Sequence, residues 1–237
     1  MEIVICRDHQ MVSQYAADRL ASAFLHKPDL TVTFAAGDTP LACYRQLLRS
    51  QQTGALRLDQ ALYIGLDEWV GLGPETPGSC IATMNLGYYH PAGIPAQRVI
   101  AFDGLRPDPE AEAERMQKVL GEHPLDLAVL GVGINGHVGF NEPETPLSGD
   151  FSLVPLSETT QSVGRKYFSG KPTPILGATI TLQALKKARQ VIIIATGAHK
   201  RDIVSGIFAE RADLPVCAFL SHHGALYLFD EAAAFRG

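Results

Sequence analysis

Short β-branched apolar runs alternate with stretches of helical apolar spacing along most of the chain. Glu2–Cys6 (EIVIC) reads as a first strand. Residues 11–24 read as a helix, with Val12, Tyr15, Ala16, Leu20 and Phe24 close to the i, i+4 spacing of one face. Residues 30–35 (LTVTFA) predict a strand and 41–48 a helix; 61–66 (ALYIGL) predict another strand. Residues 109–120 read as a helix with acidic residues near its start, where the helix dipole favours them. Residues 125–130 and 191–196 (VIIIAT) are buried-strand patterns, and 216–220 and 225–229 predict two late strands. Continuous apolar strands separated by helices imply an α/β fold whose parallel sheet is covered on both faces. Residues 143–174 are rich in Ser, Thr, Gly and Pro and read either as a mobile lid or as a plain surface excursion. No internal repeat or linker divides the 237 residues.

Composition narrows the class of partner. Hydrophobic residues are 46% of the chain and charged residues 19%, enough apolar material for a sizeable core and unlike a disordered or fibrous chain. No apolar stretch is long enough to span a bilayer, and the first ten residues do not read as a secretory signal. The four cysteines (Cys6, Cys43, Cys80, Cys217) are scattered without a CxxC pair, as expected of reduced thiols in a cytoplasmic protein. The formal net charge of −5 comes without a basic run, which argues against nucleic acid and towards small molecules.

The residues that break the apolar pattern gather at the predicted strand ends, where such sheets hold their ligands. After 30–35 comes Gly37-Asp38-Thr39-Pro40. Backbone N–H groups at a helix start bind anions and a threonine hydroxyl adds a donor. The same residues also make an ordinary helix start, with Thr39 as N-cap and Pro40 in the first turn. In an anion site Asp38 contributes only its backbone N–H, its carboxylate turned away. After 61–66 comes Asp67-Glu68-Trp69. This is either a solvated acidic turn or a half-buried general base beside a tryptophan that excludes water. After 125–130, Gly131, Gly133, Gly136 and Gly139 crowd a loop that carries His137, with Glu142 just beyond. Such glycine density permits close backbone approach, and the His–Glu pair suits a proton shuttle and its orienting carboxylate. The loop meets the G-x-G-x-x-G spacing of a dinucleotide site, but no helical pattern follows and no ribose-binding acid ends a second strand. After 191–196, Lys200 stands at a helix start, poorly placed for the dipole, so either an anion compensates it or it is solvated. His222-His223 lack a third ligand at zinc spacing, and neither a G-x-S-x-G elbow nor a Walker A motif occurs.

These segments, in this order and over nearly the whole chain, resemble the glucosamine-6-phosphate deaminase family and the related galactosamine-6-phosphate deaminase/isomerases. The resemblance is carried by Gly37-x-Thr39-Pro40, by Leu66-Asp67-Glu68-Trp69-Val70, by Gly131-x-Gly133-x-Asn135-Gly136-His137-x-Gly139-Phe140-Asn141-Glu142-Pro143, and by Thr196-Gly197 with Lys200. It implies a Rossmann-like three-layer sandwich with a mostly parallel central sheet, a single domain over residues 1–237. It also implies conversion of an amino-sugar 6-phosphate and water to a ketose 6-phosphate and ammonia, without metal or organic cofactor. By that resemblance His137, assisted by Glu142, opens the sugar ring, and Asp67 moves a proton between C2 and C1. Asn135 supports His137 or the substrate, and the phosphate lies on the backbone of Gly37, Asp38 and Thr39 with Lys200 supplying charge. A monomer or small homo-oligomer that binds neither nucleic acid nor membrane is expected.

The chain departs from the family pattern in places. Asp38 replaces a second glycine. Lys166, beside Arg165, occupies a position where many members place a phosphate-contacting arginine, so both are candidates. Leu147-Ser-Gly-Asp-Phe-Ser lacks the basic residues of the allosteric segment in large hexameric members, so no such allosteric site is expected. Trp69 and Pro77-Gly78-Ser79-Cys80 look more like the galactosamine branch. The related 6-phosphogluconolactonases usually have Asp-Glu-Arg where Trp69 stands and lack Asn-Glu-Pro after the histidine. A sugar-phosphate sensor without the catalytic set is the non-enzymatic alternative.

Overall fold

The computed structural model describes residues 1–52, 54, 56–143, 145, 147–168 and 173–235. In chain order the elements are β1 (Glu2–Cys6), α1 (His9–His26), β2 (Thr31–Phe34), α2 (Asp38–Gln51), β3 (Leu62–Ile64), β4 (Asp67–Trp69), α3 (Cys80–Met84), β5 (Val99–Ile100) and α4 (Pro109–Glu122). There follow β6 (Leu127–Gly131), β7 (Phe151–Pro155), α5 (Glu158–Gly164), β8 (Leu176–Ile180), α6 (Leu182–Leu185), β9 (Gln190–Ala195), α7 (Arg201–Phe208), β10 (Ala225–Asp230) and α8 (Glu231–Ala234).

The continuous apolar strands are explained by two cores, one on each face of a single sheet. Along β6 and β9, Ala128, Leu130, Val191 and Ile193 enter one core while Leu127, Val129, Ile192 and Ile194 enter the other. The first core is closed by residues of α4, α6 and α7, such as Met116, Leu185 and Val204. The second is closed by α1 and α2 through Leu20, Phe24, Tyr44 and Leu47, with Tyr88 and Tyr89 from a wide-turned helical stretch, Asn85–Tyr89. The sheet runs β1-β10-β9-β6-β2-β3-β5, and every pairing is parallel. The chain leaves β2 into α2 on one face and leaves β6 into a loop whose Val132 and Val138 join the other core. The carboxyl ends of β2 and β6 therefore flank a switch point, where an open α/β sheet leaves a crevice.

A second sheet, β4-β8-β7, is antiparallel and has no counterpart in the apolar pattern of the sequence. Two predictions change with it. Asp67-Glu68-Trp69 is not a turn but a strand, with Asp67 opposite Thr179 and Trp69 opposite Gly177. The 143–174 segment is not a structureless excursion: it supplies β7 and α5. Residues 144, 146 and 169–172 of that segment lie outside the described residues. A third small core under this sheet joins Trp69, Phe140, Val154, Leu156 and Phe168, with Trp69 edge-on to Phe140 and Phe168.

Residues 216–220 are not a strand. Pro215–Phe219 is a 3₁₀ stretch, because Pro215 lacks the N–H that a ladder needs and Val216 N–H donates to Gly136 O. β10, between β1 and β9, fills the sheet position instead. No helix among the described residues is long and apolar enough to cross a membrane.

Candidate active site

A cleft of about 270 Å³ opens at the switch point, and all four motif segments reach it. At one end lies the start of α2. Gly37, not Thr39, is the N-cap, and no side chain caps this helix. Thr39 falls inside the first turn, and Pro40 has no N–H, so the unclaimed donors concentrate on Asp38 and Thr39. Lys166 and Lys200 both line the cleft here. Lys200 is not a solvated lysine: it is half-buried and its Nζ donates to Val132 O at 2.6 Å. Burial, helped by the charge of Lys166, lowers its pKa to about 8. Lys166 follows α5 and its Nζ pairs with Asp38 Oδ2 at 3.0 Å, so the Asp38 carboxylate is not turned away. Arg165 is exposed and does not line the cleft.

Asp67 forms part of the opposite wall with Leu66, Trp69 and Cys80. Burial among them raises its carboxyl from the ordinary value to about 6, against a partial counterweight from the Cys80 thiol that donates to it. Gly139 makes this wall possible. Its φ is +56°, and an added Cβ would press within 2.8 Å of Thr179 Oγ1 and 3.6 Å of Asp67 Oδ2. Glu68, one residue on, has a structural role. It is 1% exposed and accepts backbone N–H groups from Trp69, Cys80 and Ile81. It thus anchors the first turn of α3, and with it the Cys80 wall, to the strand that carries Asp67.

Between these ends sits His137. Its Nδ1 lies 2.7 Å from Asn135 Oδ1, and Asn135 Nδ2 donates to Glu142 Oε2 at 3.0 Å. Glu142 itself is 3.9 Å from Nδ1, so its hydrogen-bonded link to His137 runs through Asn135 rather than by direct contact. The chain fixes the tautomer. A carboxylate only accepts, so the Asn135 amide must turn its N–H to Glu142 and its carbonyl to His137. His137 Nδ1 then donates and Nε2 keeps its lone pair. Burial holds the imidazole below its usual pKa, with Glu142 opposing and Lys200 reinforcing the shift. The result is a neutral base in the cleft wall.

Two supports of this chain escaped the sequence reading. Ser157 Oγ donates to Glu142 Oε2 at 3.0 Å, and Thr160 Oγ1 stands 3.3 Å from His137 Nδ1. Ser157 is the N-cap of α5 and accepts from Thr160 N–H, so a capping serine was the signal within reach. Gly133 gives the ring its room, since a Cβ there would fall inside the His137 imidazole. Gly133→Ala is therefore expected to cost about tenfold to 100-fold in kcat with a folded protein, checked by steady-state kinetics beside circular dichroism. Among the described residues, no group of three or more His, Cys, Asp or Glu side chains is arranged to hold a metal ion.

Comparison with known proteins fits this geometry. The model of the glucosamine-6-phosphate isomerases/6-phosphogluconolactonase family matches residues 8–228. The chain belongs to that family. It is 31% identical over 240 residues to a glucosamine-6-phosphate deaminase of Bacillus velezensis, covering 99% of both chains. It is 33% identical to one from Streptomyces coelicolor, over all of this chain and 92% of that one. A solved monomeric glucosamine-6-phosphate deaminase superposes with a TM-score of 0.92 at 29% identity over 98% of each chain. The 6-phosphogluconolactonase of Trypanosoma brucei, at 20% identity and a TM-score of 0.78, shares the fold. The motif resemblance, the three-layer fold and an enzyme of the deaminase type in this family are thereby all supported.

Proposed function

We propose that this protein deaminates an amino-sugar 6-phosphate, giving a ketose 6-phosphate and ammonia, as a single domain over residues 1–237. One observation carries the reading. A carboxyl group poised near pH 6 and a histidine locked as a neutral base line one cleft, whose far end is an uncapped helix start flanked by two lysines. A general base works best with a pKa near the operating pH, and Asp67 has one. The phosphate, held by Asp38 and Thr39 N–H with Lys166 and Lys200, fixes carbons several bonds away.

The steps balance without a redox partner. His137 Nε2 takes the O1 proton and returns a proton to the ring oxygen, opening the ring to the aldehyde. Asp67 takes the C2 proton while the substrate's C2 ammonium passes one of its protons to the carbonyl oxygen at C1, giving an enolamine. Asp67 then delivers its proton to C1. The resulting imine at C2 adds water and loses ammonia. Asn135 and Glu142 hold His137 in its basic tautomer throughout.

The test is ammonia release from glucosamine 6-phosphate and galactosamine 6-phosphate side by side, with 6-phosphogluconolactone as control. Ammonia from either amino sugar supports the reading, and the ratio sets the preference at C4. The relatives at 31–33% identity favour glucosamine, whereas Trp69 and Pro77-Gly78-Ser79-Cys80 favour galactosamine. Lactone hydrolysis without ammonia release would overturn the reading in favour of the lactonase branch. Stabilisation by the sugar phosphates without turnover of any substrate would favour a sensor.

Lys200 adds a pH dependence. A phosphate dianion prefers the protonated amine, and the free enzyme loses that proton near pH 8. KM for the phosphorylated substrate is therefore expected to rise above pH 8 while kcat holds. Lys200→Arg, which stays charged, should remove that rise; a KM flat in pH for the unaltered enzyme would count against Lys200 as a phosphate partner.

A further inference from the structure

Among the described residues Asp38 is the one acidic side chain at the phosphate end of the cleft, and it sits on the donor-rich turn. An acid at a helix start is ordinary by itself, because the dipole favours it. What is unusual is its partner. Lys166 reaches Asp38 from the 3₁₀ turn Arg165–Tyr167, 128 residues along the chain. A carboxylate thus occupies the very lysine that an incoming phosphate needs.

We propose that Asp38 is a specificity-determining residue that acts as an internal competitor: a phosphorylated substrate binds by replacing the Asp38 carboxylate as the partner of Lys166. This deepens the amino-sugar-phosphate reading and rests on it. The charges explain the selectivity. Asp38 and Lys166 are 77% and 52% exposed at the side chain, and a pair so open to water is weak. A dianion, which also collects the α2 amides and Lys200, can displace it. A ligand bearing a carboxylate at the same carbon only exchanges one monoanion for another, and an unphosphorylated sugar must leave the pair intact. Asp38 therefore raises the charge a ligand must bring, at some expense in phosphate affinity.

The experiment is a double-mutant cycle on binding of inorganic phosphate, measured by calorimetry at pH 7.5 and checked by displacement with glucosamine 6-phosphate. Asp38→Asn is expected to tighten phosphate binding about three- to fivefold, the scale of an exposed ion pair, and less at high salt. In a Lys166→Met background the same substitution should gain almost nothing, because the contested lysine is gone. Equal gains in both backgrounds would mean general charge repulsion and overturn the proposal. Weaker binding by Asp38→Asn would mean that Asp38 pre-positions Lys166, and would overturn it too. If the unaltered protein and Asp38→Asn both fail to bind phosphate in competition with the sugar phosphate, the phosphate end itself is misassigned and the functional reading falls with it. Phosphate binding by the unaltered protein that Asp38→Asn does not tighten sinks only the competitor role.

Discussion

Asp67→Asn is expected to lower kcat by about 10²–10⁴-fold, the usual worth of a general base, and at the same time to stabilise the fold above pH 6. Asparagine keeps the shape and cannot accept the C2 proton, so substrate binding should stay near normal while turnover falls. The stability effect follows from burial. The folded-state pKa of about 6 lies above the ordinary carboxyl value, so ionising Asp67 works against the fold. Below about pH 4 the group is protonated in both states and the penalty is absent. It grows as pH rises through 6 and is then constant, at up to about 3 kcal/mol. The neutral amide of the variant carries none of it. Urea unfolding of both proteins at pH 4 and pH 8 checks this: the gap should be small at pH 4 and favour the variant at pH 8. A variant that keeps its activity would remove Asp67 as the proton carrier between C2 and C1. An equal gap at both pH values would show that its carboxyl is not strained by burial.

That strain explains why the site was only partly legible in the sequence. The parallel sheet announced itself because β6 and β9 are apolar on both faces, and a run such as VIIIA has few other uses. The cleft announced itself because glycines and polar residues cluster where those strands end. The antiparallel sheet did not. β4 consists of Asp-Glu-Trp, two of them residues that strands usually avoid, and it is held by β8 more than 100 residues away. Tertiary pairing overrides propensity there, and it does so where the Asp67 carboxylate meets the cleft. Glu68 misleads in the same way. In sequence it is half of an acidic pair, yet three backbone N–H groups make it a buried anchor. Ser157 and Thr160 were hidden for another reason. The Ser- and Thr-rich composition of their segment reads as loop, and only the fold brings their hydroxyls to Glu142 and His137.

Glu142→Gln is the second large effect, because Glu142 does not line the cleft and should still cost about 10²-fold in kcat. The carboxylate is 1% exposed at its side chain and accepts from Asn135 Nδ2, Ser157 Oγ and Ser157 N–H. A glutamine amide fits the space but puts a donor where one of these donors arrives. If its NH₂ meets Asn135, the Asn135 amide relaxes by turning its carbonyl outward and its own N–H towards His137. Nδ1 must then accept, the proton moves to Nε2, and the ring presents an N–H to the cleft in place of a lone pair. If its NH₂ meets the Ser157 backbone instead, that half-buried N–H loses its acceptor and the start of α5 loosens beside Thr160. Either way His137 loses its fixed basic tautomer while the phosphate end is untouched, so KM should change little. The cycle with His137→Gln decides the route. Because Glu142 acts through Asn135 on His137, the double variant should be no slower than His137→Gln alone. Losses that multiply would mean that Glu142 serves the reaction independently of the imidazole. An open-chain substrate analogue separates the step: it bypasses ring opening and should spare both single variants in part, whereas equal loss on cyclic and open-chain forms would contradict ring opening as the role of His137.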